Sequence, residues 1–207
     1  MVYHTSNNGC KTRNHCFPPD SSQVPIMPIL RQIAQLGQTV LRKESRKIDD
    51  PSDPVVQALI DDMRVTLDEA NGVGIAAPQL FEPLRLFIVA SHPNPRYPHA
   101  PAMKPTPMLN PEILWCSDKS EKGWEGCLSV PGIRGPVSRS VKIGVRYMTR
   151  DGLLREEELD GFLARIFQHE YDHINGVVFL DRVEENLELI SEREYQRMIA
   201  DDSNSRP

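Results

Sequence analysis

The sequence has no long apolar segment and few cysteines. No stretch of its 207 residues approaches the roughly 18 consecutive apolar residues of a membrane-spanning helix, and the N-terminus lacks the apolar core of a secretory signal. The four cysteines are irregularly spaced and form no C-x-x-C pair, which excludes a disulfide scaffold and favours a reducing compartment. The net charge is −5, which indicates no basic surface for nucleic acid. We therefore expect no direct binding to membranes or nucleic acids.

The composition is that of a folded globular chain. Hydrophobic residues make up 39% and charged residues 26% of the sequence, and a chain of this length forms one domain of ordinary size. Residues 1–24 are polar, contain Pro18 and Pro19 and show no periodicity, which predicts an irregular, disorder-prone extension. Residues 25–207 are predicted to form a single domain with a C-terminal helix over residues 187–200.

The spacing of apolar residues predicts helices mixed with locally paired strands. Asp53 followed by Pro54 is typical of a helix start and Asn71-Gly72 of a helix end, so a first helix is expected over residues 54–70. A second helix is predicted over residues 162–174. Strands are expected at residues 86–90, 108–115, 141–148, 153–159 and 177–180. The proline-rich residues 91–111 are expected to form a long irregular surface loop. This pattern indicates an α+β fold.

The second helix carries the motif QHEYDH at residues 168–173. His169 and His173 are one helical turn apart and share a face, where two imidazoles can bind a single metal ion. Glu170 points beside such an ion rather than at it, which suits a base that accepts a proton from water. The alternative is a helix with two solvent-exposed histidines.

A catalytic metal needs a third protein ligand, and this motif does not identify it. Metzincins have a third histidine six residues after the second, but position 179 is Phe. Cys127 stands out because Gly126 beside it allows another part of the molecule to approach closely, although an ordinary buried thiol is the alternative. The other candidates are Cys10, Cys16, Cys116, His4, His15, His92, His99 and the carboxylates.

The segment GVGIAAPQ at residues 72–79 follows the first helix. Its small residues allow the backbone to approach a ligand closely. No Lys-Ser/Thr pair follows, so it is not a phosphate-binding loop. The alternative is a helix end followed by a tightly packed turn.

Together, GVGIAAPQ (72–79), EGCLS (125–129) and QHEYDH (168–173) resemble the three motifs of the peptide deformylases, in that family's order. The resemblance covers about residues 27–185, and residues 125–139 further resemble the type-1 branch of bacteria and organelles. It implies antiparallel sheets packed around a central helix that carries the histidine motif. It also implies a metal-dependent hydrolase that removes the formyl group from N-formylmethionyl nascent polypeptides and releases formate.

The resemblance further implies the chemistry of the site. The implied ligands of one divalent metal ion are Cys127, His169 and His173. Ferrous iron is the expected ion, and zinc, nickel or cobalt can substitute because a mixed sulfur and nitrogen site accepts several first-row ions. Glu170 is implied to move a proton from water to the leaving amine. The Gln79 side chain and the backbone N–H of Leu128 are implied to stabilise the oxyanion.

The methionine side chain of such a substrate needs an apolar pocket. Motif position makes these residues candidates for its walls: Val73, Gly74, Gly126, Leu128 and Ile166. Arg134 is expected to meet the substrate backbone. The alternatives are plain core packing for the wall residues and a solvated surface position for Arg134. Asp172 and Arg139 are predicted to pair and orient the helix, with a surface ion pair as the alternative.

The expected partners are N-formylmethionyl peptides and nascent chains near the ribosome, and the protein is expected to be a monomer or weak dimer. A bacterial cytoplasm is the expected location, with a plastid or mitochondrion as the alternative if residues 1–24 derive from a targeting segment. Two rival functions use the same residues. A zinc endopeptidase would take a distal Glu or His as its third ligand. A binding protein with a degenerate deformylase fold would have lost some of these residues, all of which are present.

Overall fold

The computed structural model describes residues 27–93 and 100–204. The predicted extension over residues 1–24 and several candidate ligands lie outside the described residues: His4, Cys10, His15, Cys16 and His99. Within the described ranges, no helix combines the length and the apolar composition that crossing a membrane requires.

The described residues form three α-helices, eight strands and four short 3₁₀ helices. The helices are α1 (Pro54–Glu69), α2 (Gly161–Ile174) and α3 (Glu192–Asn204). The strands are β1 (Gly74–Ala76), β2 (Leu86–Ser91), β3 (Met103–Cys116), β4 (Ser120–Cys127), β5 (Val130–Ser140), β6 (Lys142–Met148), β7 (Leu154–Asp160) and β8 (Ile190–Ser191). One sheet has the order β1-β2-β3-β6-β7 and the other β4-β5-β8, and the strand pairs within both are antiparallel. The predicted α+β fold with antiparallel sheets is confirmed.

Helix α2 lies against both sheets. It contacts β1, β2, β6 and β7 of the larger sheet and β5 of the smaller one. On the side of the larger sheet, Phe167 packs edge-to-face on Phe87, with ring centroids 5.0 Å apart. On the other side, His169 and Arg165 contact the β4–β5 hairpin. The helix is therefore held from two directions, which fixes the orientation of its histidines.

Helix α1 begins and ends nearly as its sequence predicts. The Asp53 carboxylate accepts a hydrogen bond from the N–H of Val55 at 2.8 Å, and Pro54 occupies the first helical position. The helix ends at Glu69, one residue before the predicted end, and Asn71 follows with a left-handed φ of 48°. This turn directs the chain into β1 and along α2.

The prediction of an irregular loop over residues 91–111 is wrong from Met103 onward, and its residues 94–99 lie outside the described residues. Strand β3 begins at Met103 and includes Pro105 and Pro107. Its pairs with β6 begin only at Leu109, whereas Pro107 pairs with β2 alone among the described strands. A proline lacks the N–H of a ladder hydrogen bond, so it is tolerated where only one side of the strand is paired.

The C-terminal third departs from the prediction in two places. Residues 177–180 are not a strand: a 3₁₀ helix covers Phe179–Arg182, and Asp181 accepts a hydrogen bond from the N–H of Val178 at 2.9 Å. A short buried apolar run does not distinguish these conformations. The final helix begins at Glu192 rather than residue 187, because β8 precedes it.

The β4–β5 hairpin has no counterpart in the predicted elements. Its strands contain several glycines and prolines and lack a clear alternation of apolar and polar residues. Their pairing with each other and with β8 is what makes them strands.

Candidate metal centre

Three separate elements bring the three motifs together. Gln79 lies in a buried 3₁₀ helix (Ala77–Leu80), Cys127 ends β4, and both histidines lie on α2. Donor atoms of Cys127, His169 and His173 all lie within 4.8 Å of one another. The Cys127 Sγ atom is 3.1 Å from Nε2 of His173. The helical spacing therefore places both imidazoles on one face, next to a sulfur.

The structure places one further side chain that could bind a metal ion next to the two histidines. Among the described residues, this group contains Cys127 but neither Cys116 nor His92. Cys116 is exposed at the end of β3. The alternative of two solvent-exposed histidines is wrong, because His173 is fully buried and the side chain of His169 is only 11% exposed.

The donor atoms perturb one another strongly. Burial alone would raise the pKa of the Cys127 thiol, but the charges and hydrogen bonds of His173 and His169 outweigh it and hold that pKa well below its usual value. Burial would lower the pKa of His169, but its hydrogen bonds to Cys127 and Glu125 raise it well above normal. One thiolate and two imidazoles form a donor set that fits a first-row divalent ion.

Glu125 orients one of the two imidazoles. Its buried carboxylate accepts a hydrogen bond from Nδ1 of His169 at 2.9 Å, which directs the other ring nitrogen towards Cys127. Arg139 donates to both Glu125 oxygens at 2.9 Å, and Arg165 donates to one of them at 3.0 Å. Burial by itself would raise the pKa of the Glu125 carboxyl group. The hydrogen bonds and charges of His169 and Arg139 outweigh burial and hold this pKa below its usual value, so the carboxylate stays ionised. The sequence identified Glu125 only as part of the EGCLS motif and did not predict its contact with His169.

The predicted pairing of Arg139 with Asp172 is confirmed. Nη1 of Arg139 lies 2.6 Å from Oδ2 of Asp172, and both side chains are buried, so the surface alternative is wrong. Arg182 donates to the same Asp172 carboxylate at 2.7 Å. Arg139 therefore joins β5 to α2 through two carboxylates, one of which holds His169.

Glu170 is buried beside the donor atoms. Burial raises the pKa of its carboxyl group to about 7, against the opposing effect of His169 and His173. Its Oε2 atom has no hydrogen-bond partner among the described residues. A Cβ atom on Gly74 would lie 2.3 Å from Oε1 of Glu170, so only glycine fits here without displacing the carboxylate.

Gln79 is held in one orientation. Its Oε1 atom accepts a hydrogen bond from the N–H of Ala76 at 2.8 Å. Its Nε2 atom donates to Oγ of Ser129 at 3.1 Å and lies 3.5 Å from the Cys127 sulfur. The amide N–H group therefore faces the donor set.

One cavity opens beside these groups. The predicted site residues that line it are Val73, Gly74, Gln79, Gly126, Cys127, Leu128, Arg134, Ile166, His169 and Glu170. His173 is fully buried and is not among the residues that line this cavity. The lining residues that sequence reasoning missed include Asn71, Trp124, Phe162, Arg165 and Glu192. Arg134 is only 2% exposed, so it is not a solvated surface arginine.

Comparison with known proteins identifies relatives of this chain. The family model for polypeptide deformylase matches residues 30–188. The chain belongs to the polypeptide deformylase family. Peptide deformylase 2 of Nostoc sp. is 55% identical over 172 residues, covering 83% of this chain and 96% of that protein. Peptide deformylase 2 of Shewanella oneidensis is 46% identical over 166 residues, covering 80% of this chain and 90% of that protein.

Solved deformylase structures share the fold. The crystal structure of the class I type b peptide deformylase from Acinetobacter baumannii with Met-Ala-Ser bound has a TM-score of 0.74 and 44% identity to this chain. It covers 76% of this chain, and all of that protein is matched. The peptide deformylase from Thermotoga maritima has a TM-score of 0.68 at 36% identity, covering 76% of this chain and 99% of that protein.

Family membership confirms the predicted activity. The protein is a metal-dependent hydrolase that removes the N-formyl group from nascent peptides. The rival endopeptidase required a Glu or His as the third donor, whereas the group of donors contains Cys127. The rival binding protein required a degenerate site, whereas the named relatives are enzymes and the motif residues are present.

Proposed function

We propose that one divalent ion binds to Cys127, His169 and His173, and that the formyl group reacts beside it. The observation that supports this is the convergence of a sulfur and two imidazoles within 4.8 Å, next to a buried carboxylate. When bound, the ion supplies Lewis-acid polarisation of the formyl carbonyl and lowers the pKa of water.

Glu170 carries the proton in this proposal. Its carboxylate lies at the cavity wall against Gly74, and its Oε2 atom has no hydrogen-bond partner among the described residues. It accepts a proton from the attacking water as the water oxygen bonds to the formyl carbon. It then gives that proton to the leaving nitrogen as the C–N bond breaks. The products are formate and a peptide with a free methionine amine.

Gln79 and Leu128 stabilise the oxygen that becomes negative during attack. The Nε2 group of Gln79 is directed towards Cys127 by two fixed contacts of its amide, so it is already oriented. The backbone N–H of Leu128 follows Cys127 directly and supplies a second donor. Such donors act without reorganising during the reaction.

The cavity receives the rest of the substrate. We assign the methionine side chain to walls formed by Val73, Gly74, Gly126, Leu128 and Ile166. Arg134 lines the same cavity and meets the peptide beyond methionine. In this proposal the cellular substrates are nascent chains close to the ribosome. The enzyme acts as a monomer or weak dimer, and its location is a bacterial cytoplasm. The curated relatives from Nostoc sp. and Shewanella oneidensis support a bacterial-type enzyme.

The ligand assignment is tested by Cys127→Ala, with Cys116→Ala as the matched control. Removing a group that only orients a metal ligand costs about 10- to 100-fold in affinity or activity, so removing a ligand should cost more. We expect Cys127→Ala to lose bound metal and to release formate from formyl-Met-Ala-Ser more than about a hundredfold more slowly. Cys116 is exposed and away from the site, so its variant should match the parent. Full metal content in Cys127→Ala would contradict the assignment.

Ferrous iron is the proposed physiological ion, with zinc, nickel or cobalt as substitutes. A thiolate-ligated ferrous site is exposed to oxidation of both iron and sulfur, whereas nickel is far less readily oxidised. Protein purified without oxygen and loaded with ferrous iron should release formate and then lose this activity in air. The nickel-loaded protein should keep its activity over the same period. Equal lifetimes in air for the two forms would argue against iron.

A further inference from the structure

The chain after the family-matched residues returns to the cavity. The family model ends at residue 188, and β8 follows at Ile190–Ser191. Strand β8 pairs with β5, where Arg134 is opposite Ile190 and Ile133 is opposite Ser191. This pairing places the first residue of α3, Glu192, against Arg134.

Glu192 forms an ion pair with the Arg134 guanidinium. Nε of Arg134 lies 2.6 Å from Oε2 of Glu192, and Nη2 lies 3.3 Å from Oε1. Gln196, one turn along α3, donates to Glu192 Oε1 at 2.9 Å. The Arg134 guanidinium stacks over the Tyr195 ring, with Cζ of Arg134 4.9 Å from the ring centroid. The Arg134 side chain is 2% exposed and that of Glu192 is 34% exposed, so the pair is partly screened from water.

The same guanidinium lies directly on the strand that leads to the metal donors. A Cβ atom on Gly126 would lie 2.8 Å from Nε and 2.9 Å from Cζ of Arg134. Gly126 therefore permits the close approach that its position beside Cys127 predicts. Arg134 and Glu192 both line the cavity, as does Trp124, whose ring is 5.7 Å from that of Tyr195.

We propose that Glu192 is a positioning and specificity-determining residue for the deformylation site. It holds Arg134 flat over Gly126 and balances the guanidinium charge at the cavity wall. The cavity then discriminates little between peptides that carry an acidic or a basic residue at the second position after formylmethionine. This inference rests on the proposed function, because it takes the cavity as the site of the formyl peptide.

The test compares formyl-Met-Ala-Asp-amide with formyl-Met-Ala-Lys-amide. Both ends of these peptides are uncharged, so the two substrates differ in charge only at the third side chain. The readout is the ratio of their kcat/KM values in metal-loaded enzyme. In the parent enzyme this ratio should be near one. In Glu192→Gln the Arg134 guanidinium loses the negative charge of its Glu192 partner. The ratio should therefore rise about tenfold in favour of the Asp peptide at low salt, mainly through KM. The effect should shrink at high salt.

Two further variants separate charge from structure. Glu194→Gln is the matched control, because Glu194 is on the same helix and pairs with exposed Arg197 at 2.7 Å. Its ratio should equal that of the parent. Glu192→Asp keeps the carboxylate charge, so its ratio should stay near one, unlike that of Glu192→Gln. A merely structural loss would lower both rates equally and leave the ratio unchanged.

Arg134→Met provides the reciprocal experiment, which remains informative if Glu192→Gln does not fold. It removes the positive charge beside the Glu192 carboxylate, so the ratio should move about tenfold towards the Lys peptide. An unchanged ratio in folded, metal-loaded Glu192→Gln, or in Arg134→Met, would overturn the inference while leaving the proposed function intact. Failure of the parent enzyme to release formate from either peptide would instead overturn the proposed function.

Discussion

Glu170→Gln is expected to bind a full complement of metal and to release formate about a hundredfold to ten-thousandfold more slowly than the parent. The glutamine has nearly the same shape as the carboxylate, so it fills the same buried space against Gly74. It cannot take a proton from water at neutral pH. The loss should therefore fall on kcat, with metal content and KM for formyl-Met-Ala-Ser little changed. Substantial turnover by a fully metallated variant would remove Glu170 from the mechanism.

Gly74→Ala offers an independent check on the same carboxylate. Its added Cβ would lie 2.3 Å from Oε1 of Glu170, so the carboxylate must move. A displacement of about 1 Å from a reactive geometry can cost on the order of a hundredfold in rate. We expect that loss in the parent background and almost none when Glu170→Gln is already present. Equal losses in both backgrounds would show that Gly74 acts through the backbone instead.

Arg139→Met is expected to destabilise the fold by about 3–5 kcal/mol, the cost typical of breaking a buried ion pair from one side. Arg139 is 6% exposed and donates to the buried carboxylates of Glu125 and Asp172. Methionine fills part of the same space but leaves those charges with one partner fewer. Because Glu125 orients His169, metal affinity should also fall about 10- to 100-fold.

Urea unfolding of metal-free and metal-loaded protein measures both effects of Arg139→Met. The matched control is Arg146→Met, since Arg146 is 39% exposed and pairs with Glu112 and Glu156 on the larger sheet. Exposed ion pairs contribute little, so this variant should unfold at nearly the same urea concentration as the parent. Similar losses for the two arginines would show that burial of the Arg139 network does not set its contribution.

The features that short-range chemistry encodes could be predicted from the sequence. The start and end of α1 depend on Asp53, Pro54 and Asn71, which act within a few residues of themselves. The facing imidazoles of His169 and His173 follow from the pitch of one helix. The glycine before Cys127 marks a place of close approach, but only the family resemblance pairs this cysteine with the two histidines.

Only the tertiary structure decided the rest, because those features join residues that are distant in sequence. Prolines and glycines obscure β3 and the β4–β5 hairpin, which are strands because neighbouring strands pair with them. Glu125 reaches His169 across 44 residues, and Arg134 reaches Glu192 across 58. No periodicity or capping rule extends that far. The sequence by itself determined the reactive groups and the helix that presents two of them, whereas packing of α2 between the sheets decided their partners, burial and charge.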